Sequence, residues 1–347
     1  MNVDYIVVGL GLAGLAFVEE LINQNKSFIV FEDASQTSSL VAGGMYNPVI
    51  LKRFTPVWNG HEQLQLALPF YKKLEDKFNT QFDFKFTTKK MFTSVGDENN
   101  WFIASDKPVL AHYMLPNVKK DVIPGVIGEY GYGELTGTGR VDTDLLLQTY
   151  RSYLTERNEL ITNSFDYSLL NIEANYYEYN SIKAQRIVFS EGYGLSKNPF
   201  FNYLPLNGTK GELITIHAPG LDIDFLLKST LFVFPLGNNF FRVGATFNWT
   251  DKTGTPTEEG KQELIEKLEK VINVPYQIIK QSAGIRPTVK DRRPLVGEHP
   301  THKNMYVLNG LGTRGVMIAP TVAKQLFNTI ENNIPLDDEI NITRFEE

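Results

Sequence analysis

The sequence predicts an α/β nucleotide-binding part that is interrupted twice by a more β-rich part. Three observations predict it. A short apolar strand at 3–8 runs straight into Gly9-Leu10-Gly11-Leu12-Ala13-Gly14 and then into an amphipathic helix. Aromatic, turn-rich stretches at 81–135 and strand-like stretches at 211–246 break that pattern. The pattern returns near the C-terminus, with a buried strand at 306–309 and a helix at 314–330. A chain of 347 residues suits about two domains.

The elements follow in order. Residues 3–8, VDYIVV, are β-branched and short, as in a buried strand. Residues 12–25 place Leu15, Val18, Leu21 and Ile22 on one helical side. Ser27–Phe31 is a second buried strand ending at Glu32. Residues 60–79 repeat Leu64, Leu68, Tyr71, Leu74 and Phe78 at helical spacing. Residues 81–135 read as short β-prone pieces with turns such as Pro124-Gly125. Residues 142–157 return to helix, with Asp142 as N-cap. Strand-like pieces at 160–190 end in RIVFS. Residues 211–217, 230–235 and 240–246 read as antiparallel strands, and 257–272 as a helix opened by Thr257.

Composition narrows the function. Hydrophobic residues make up 42% and charged residues 21%, so a packed core is available. The net charge of −6 lacks the basic footprint of a general nucleic-acid binder. The absence of cysteine removes disulfides, thiolate nucleophiles, thiolate metal sites and cysteine-linked cofactors, and fits a cytoplasmic protein. The N-terminus has Asp4 and no basic residue, unlike a signal peptide. The uncharged stretch Tyr5–Val18 is too short for a membrane span of roughly 20 residues. None of the five histidines forms a recognised metal spacing, and no metal is expected.

The glycine turn has the right context: strand before, helix after, and an acid at the end of the next strand. Gly9 makes the tight turn. Gly11 lets the backbone approach a pyrophosphate. Gly14 lets the helix pack on the strand, and Glu32 can accept hydrogen bonds from ribose hydroxyls. The helix N-terminus at Leu12 and Ala13 offers unpaired N–H groups to phosphate. The turn alone leaves the dinucleotide open. Its N-terminal position, the β-rich insertions and the C-terminal return suit FAD, whereas soluble NAD enzymes also use such a turn.

Residues 283–297 read Ala-Gly-Ile-Arg-Pro-Thr-Val-Lys-Asp-Arg-Arg-Pro-Leu-Val-Gly, and 308–320 read Leu-Asn-Gly-Leu-Gly-Thr-Arg-Gly-Val-Met-Ile-Ala-Pro. With Phe232-Val-Phe-Pro and Arg242-Val-Gly-Ala-Thr, these segments resemble the FAD-dependent D-amino-acid oxidase superfamily. The similarity is strongest to glycine oxidase and to the flavin oxidase half of bifunctional tRNA wobble-uridine modifying enzymes. It extends over almost the whole chain.

The resemblance implies α/β plus α+β architecture. A Rossmann-type FAD-binding domain would comprise 1–80, 140–195 and 283–347. An antiparallel-sheet substrate domain would comprise 81–139 and 196–282. Arg286 matches the arginine that binds the substrate carboxylate, a role suited to a bidentate, always-charged fork. Phe232 stands where glycine oxidase has a pocket tyrosine, which keeps the aromatic wall and loses the hydroxyl. Met45 matches a methionine near the flavin. Tyr46 beside it could supply a hydroxyl, and Phe247 would line the pocket; core packing is the other reading of Met45 and Tyr46. Arg314 would meet substrate or product, or hold its turn. Gly310, Gly312 and Gly315 suit close approach to the flavin ring. Asp33, Gly44, Phe165, Gly192, Gly284 and Thr313 complete the expected cofactor-binding set, in which Met45, Arg286 and Arg314 are counted as well.

The implied activity is oxidation of an amine or amino acid by hydride transfer to flavin N5, followed by hydrolysis of the imine. Alternatives are oxidation of a carboxymethylaminomethyl group on tRNA and a non-catalytic FAD-binding protein. The expected partner is a small amine or amino acid. A homo-oligomer stays open, and neither a membrane nor nucleic acid is expected as a partner.

Overall fold

A computed structural model describes residues 1–346. Two sheets dominate it. The first has eight strands built on Asn2–Val8. That strand pairs in parallel with Phe28–Phe31 on one side and with Ile182–Phe189 on the other. Leu160–Ile161 extends the first side. Along the far edge of Ile182–Phe189, its beginning takes the antiparallel strand Tyr177–Tyr179 and its end takes Met305–Asn309 in parallel.

The apolar run of the first strand has a physical reason: both faces are covered. Tyr5 and Val7 face the core beneath the helices Leu12–Asn23, Gly60–Phe78, Thr143–Glu156 and Gly315–Asn332. Ile6 and Val8 face the other side, against Phe189, Phe201 and Met305. Asp142 caps its helix as expected, accepting from the Leu145 N–H at 3.2 Å. Thr257 likewise caps Glu258–Leu268, accepting from Gly260 N–H at 3.1 Å.

The second sheet has seven strands, in the order Gln277–Arg286, Thr209–His217, Phe240–Gly244, Phe232–Gly237, Leu226–Lys228, Thr88–Met91 and Tyr132–Leu135. All pairings are antiparallel except Leu226–Lys228 with Thr88–Met91. Side chains alternate across it. Ile214, Ile216, Leu227, Val233 and Val243 pack against Leu264 and Leu268 of the covering helix. Leu213, Leu226, Phe232 and Phe234 form a separate apolar cluster on the opposite face.

Three elements differ from the sequence-based expectation. Residues 95–105, expected as β-prone, form a helix opened by Ser94, whose hydroxyl accepts from Asp97 N–H. One buried anchor holds it: Trp101 donates to the Leu115 carbonyl at 2.9 Å and packs on Phe54 and Phe92. Its large apolar residues fall at 95 and 101–103, and only Trp101 of them is buried, so the helix gives little periodic signal. Leu226–Lys228 is a strand too short to show alternation. Gln277–Arg286 is a long edge strand whose polar stretch hides its pairing with Thr209–His217. It runs unbroken through 283, so Gly284 and Arg286 of the G-x-R-P motif are still paired within the second sheet.

Candidate active site

A cavity of about 860 Å³ lies between the two sheets. The glycine turn forms one end of it. Gly9 has φ +96°, and a Cβ there would stand 2.5 Å from the Ser190 carbonyl oxygen, so only glycine fits. Gly11, Leu12 and Ala13 line the cavity. The helix they open has no side-chain cap and no acid in its first turn, which leaves its positive end to a ligand. Glu32 lines the same end. Its carboxylate accepts from Leu10 N–H at 2.6 Å and from Ala34 N–H at 3.0 Å, and pairs with Arg151 at 3.3 Å. It therefore fixes the turn as well as facing the cavity. Asp33, Phe165 and Gly192 also line it; Phe165 is stacked on Tyr179 at 4.2 Å.

A second uncapped helix start meets the cavity at Arg314, which precedes Gly315–Asn332. Gly312, Thr313, Arg314 and Gly315 all line it. Burial, with Arg292 nearby, lowers the Arg314 guanidinium from its ordinary value. Gly312 has φ +59°, and nothing stands within 4 Å of where its Cβ would be.

The wall opposite is the apolar face of the second sheet. Phe232 and Leu213 line it, with Gly44 and Met45 from the facing segment. Arg286 enters from the edge strand, with Gly284 on the same strand also lining. Its guanidinium lies directly over Gly211, where a Cβ would be 1.9 Å from Nη2. Arg286 Nη1 donates to the carbonyls of Lys210 and Thr246 at 3.4 and 3.3 Å. Its ion partner is missing: among the described residues no carboxylate lies within salt-bridge distance. Burial pulls its pKa down to about 10, so it stays charged at neutral pH.

Of the expected residues, the structure gathers all but two around this cavity. Gly14 and Gly310 stand off it. A Cβ on Gly14 would be 2.0 Å from the Gly9 carbonyl oxygen, so this glycine serves helix packing. A Cβ on Gly310 would meet Val289 at 2.7 Å and Leu295 at 3.0 Å, so its close approach is to protein and not to a ligand. Tyr46 also needs correction. It is 3% exposed and its hydroxyl donates to Asp83 at 2.8 Å, so that hydroxyl is not free for a substrate. Phe247 lines the cavity from its rim.

Sequence reasoning missed Gly211, which makes room for Arg286, and Glu191 and Lys228, which line the cavity as half-buried ionisable groups. The alternation of Thr88-Lys-Lys and Leu226-Leu-Lys is the only sequence signal for Lys228, and it is weak. The elongated lining, the open helix end at Gly11 and the acid at Glu32 fit an extended dinucleotide. Residues 9–13, 32–33, 165 and 192 would hold its nucleotide part, and 44–45 and 312–315 its ring end.

Comparison with known proteins agrees with this geometry. A family model described as FAD dependent oxidoreductase (DAO) matches residues 4–328, so the chain belongs to that FAD-dependent family. Glycine oxidase of Bacillus subtilis (strain 168) is 21% identical, over 99% of this chain and 97% of its own. The tRNA 5-methylaminomethyl-2-thiouridine biosynthesis bifunctional protein MnmC of Idiomarina loihiensis is 25% identical over 48% of this chain and 29% of its own. Among solved structures, glycine oxidase from Geobacillus kaustophilus superposes with TM-score 0.78 at 16% identity, covering 97% of this chain and 96% of its own. This last likeness establishes a shared fold.

Proposed function

We propose that the protein, an FAD-dependent oxidoreductase, acts on an amino acid or a related amine that carries a carboxylate. The observation that supports this most is Arg286. It is a buried guanidinium on the cavity wall with no carboxylate of its own among the described residues. Leaving such a charge unpaired is costly unless a ligand completes it. A substrate carboxylate would do so with paired, charge-assisted hydrogen bonds.

Bound FAD would supply the two-electron acceptor for the hydrogen leaving the carbon next to nitrogen, and water would hydrolyse the resulting imine. The chain's own residues would orient and enclose. Arg286 would fix the carboxylate, and Phe232, Leu213 and Met45 would wall the carbon skeleton and exclude water. Phe232 offers no hydroxyl, so no hydrogen bond to the substrate is expected from that position. The uncapped helix start at Arg314 would favour negative charge gathering near it.

The test is a panel of amines and amino acids mixed anaerobically with the flavin-loaded protein while flavin bleaching is followed. Carboxylate-bearing amines should bleach it and matched amines without the carboxylate should not. Equal bleaching by both sets would sink the reading.

A further inference from the structure

The cavity wall carries a second cation that the reading above leaves without a role. Lys228 ends the short strand Leu226–Lys228 and lines the cavity together with Leu226, Thr88 and Phe232. Its ammonium makes no hydrogen bond and no salt bridge to any described residue. The charged groups that bear on it are Lys90 and Lys267, and both are cations. Lys90 is its neighbour across the parallel pairing and donates to the Met91 carbonyl at 2.6 Å. Lys267 is already paired with Glu263. Burial pulls Lys228 down to about 8. The protein therefore holds a half-dry ammonium among like charges, and the described residues supply no anion to it. Long lysines on a surface reach water at little cost; here the reach is into the cavity instead.

Register relates this lysine to Arg286. Lys228 pairs with Phe232, Phe232 with Gly244, and Gly244 with Leu213. These residues lie on one rung across the sheet, on the cavity face. Leu213 is two residues from Gly211, over which the Arg286 guanidinium lies. The two cations thus stand at opposite ends of an apolar strip made by Leu213 and Phe232. Three strand spacings separate the Gly211 strand from the Lys228 strand, roughly 14 Å. With the two-residue offset of Gly211 along its strand the two backbones stand roughly 16 Å apart, and the lysine's reach of about 6 Å would leave the charged heads separated by a distance on the order of 10 Å.

We propose that Lys228 receives a second anionic group of the substrate, a carboxylate or a phosphate, at the far end of the apolar strip from Arg286. The preferred substrate is then an amine with an acid at each end, lying over Phe232. This rests on the reading of Arg286 given above. It goes beyond it by assigning a distal specificity site and a substrate class.

Non-reacting acids test it without turnover. Pimelate and suberate would be titrated into the flavin-loaded protein against heptanoate and octanoate, with 6-phosphonohexanoate as a third arm. Binding would be read from the perturbed flavin spectrum and by calorimetry. The diacids should bind about 30-fold tighter than the monoacids. Lys228→Met should bring that ratio close to one, and Lys228→Arg should keep most of it. Tighter binding of the phosphonate than of the diacids assigns the site to a phosphate group; the reverse assigns it to a carboxylate. Diacids that bind no tighter than monoacids, or a ratio unchanged in Lys228→Met, would overturn the proposal. Arg286→Ala separates the two readings: if it binds heptanoate as wild type does, the Arg286 reading fails, whereas the diacid ratio still decides Lys228.

Discussion

The Arg286 guanidinium sits 4.4 Å from the centre of the Phe247 ring. The ring is 60% exposed, so it shields one face of the guanidinium while standing at the cavity rim. Two backbone carbonyls hold the arginine from its own sheet. The arginine is therefore positioned by stacking and by carbonyls, and its charge is left for a ligand.

Replacing this arginine should separate substrate binding from cofactor binding. Arg286→Ala should lose about 2–5 kcal/mol of interaction with a carboxylate substrate. That is roughly 30- to several-thousand-fold in the efficiency of flavin reduction. Arg286→Lys should recover only part, because an ammonium lacks the planar fork. Flavin content should stay normal. An alanine variant with wild-type reduction kinetics would make Arg286 structural.

Gly211→Ala is a subtler form of the same experiment. The three nearest atoms its Cβ would meet all belong to the Arg286 guanidinium. The arginine side chain can swing aside, so melting temperature should change little. The carboxylate grip should be lost, and half-saturation for a carboxylate substrate should rise at least ~10-fold. Unchanged half-saturation would mean that the guanidinium does not work from above Gly211.

The glycines of the first turn should behave unequally. Gly11 has extended backbone, and its added Cβ would meet only the Ser39 hydroxyl at 3.2 Å. Gly11→Val should fold and lose flavin, because a branched side chain would fill the phosphate approach. Gly14→Ala should instead cost about 3 kcal/mol or more of stability, since its Cβ would overlap the Gly9 carbonyl. Flavin absorbance and thermal melting, measured on both variants, check the contrast. Full flavin in Gly11→Val would remove this turn from the cofactor site.

Glu191 gives stability a pH dependence. Burial pushes its carboxyl up to about 7, with Asp33 adding to it, against hydrogen bonds from Asn198 and Tyr167. The folded chain then holds this proton more tightly than the unfolded chain, whose value is near 4.5. The contribution is full below about pH 4.5 and is lost as pH rises through about 7, up to about 3 kcal/mol in all. In the flavin-free protein, Glu191→Gln should melt higher than wild type at about pH 8 and close to it at about pH 5. An equal difference at both pH values would rule out this titration.

Much of the first sheet was legible because burial on both faces forces continuous apolar strands, as in Val3–Val8. The caps Asp142 and Thr257 were legible because their hydrogen bonds are local. The helix at 95–105 was not, since its stability comes from Trp101 reaching distant partners. The site was legible at Gly9, where the turn's backbone demands glycine, whereas Arg286 was picked out by the resemblance of its motif and lines the cavity. It was misread where a side chain has a nearer protein partner, as Tyr46 has in Asp83, or where the close approach is to protein, as at Gly310. Lys228 was invisible because its importance comes from what is absent around it, and absence leaves no mark in a local sequence.

The path of the chain between its sheets has a consequence for access. Residues 2–31 build the first sheet, 88–135 the second, 160–189 the first, 209–286 the second, and 295–309 the first again. The two halves are thus stitched together by four covalent passages, one at each change of sheet. Any swing of one half against the other would have to bend all four passages together. Neither half can be made from one uninterrupted stretch of the gene, and one proteolytic cut would not release either. Movement of rim segments, such as those bearing Phe247 and Lys52, would admit a ligand without bending any of those passages.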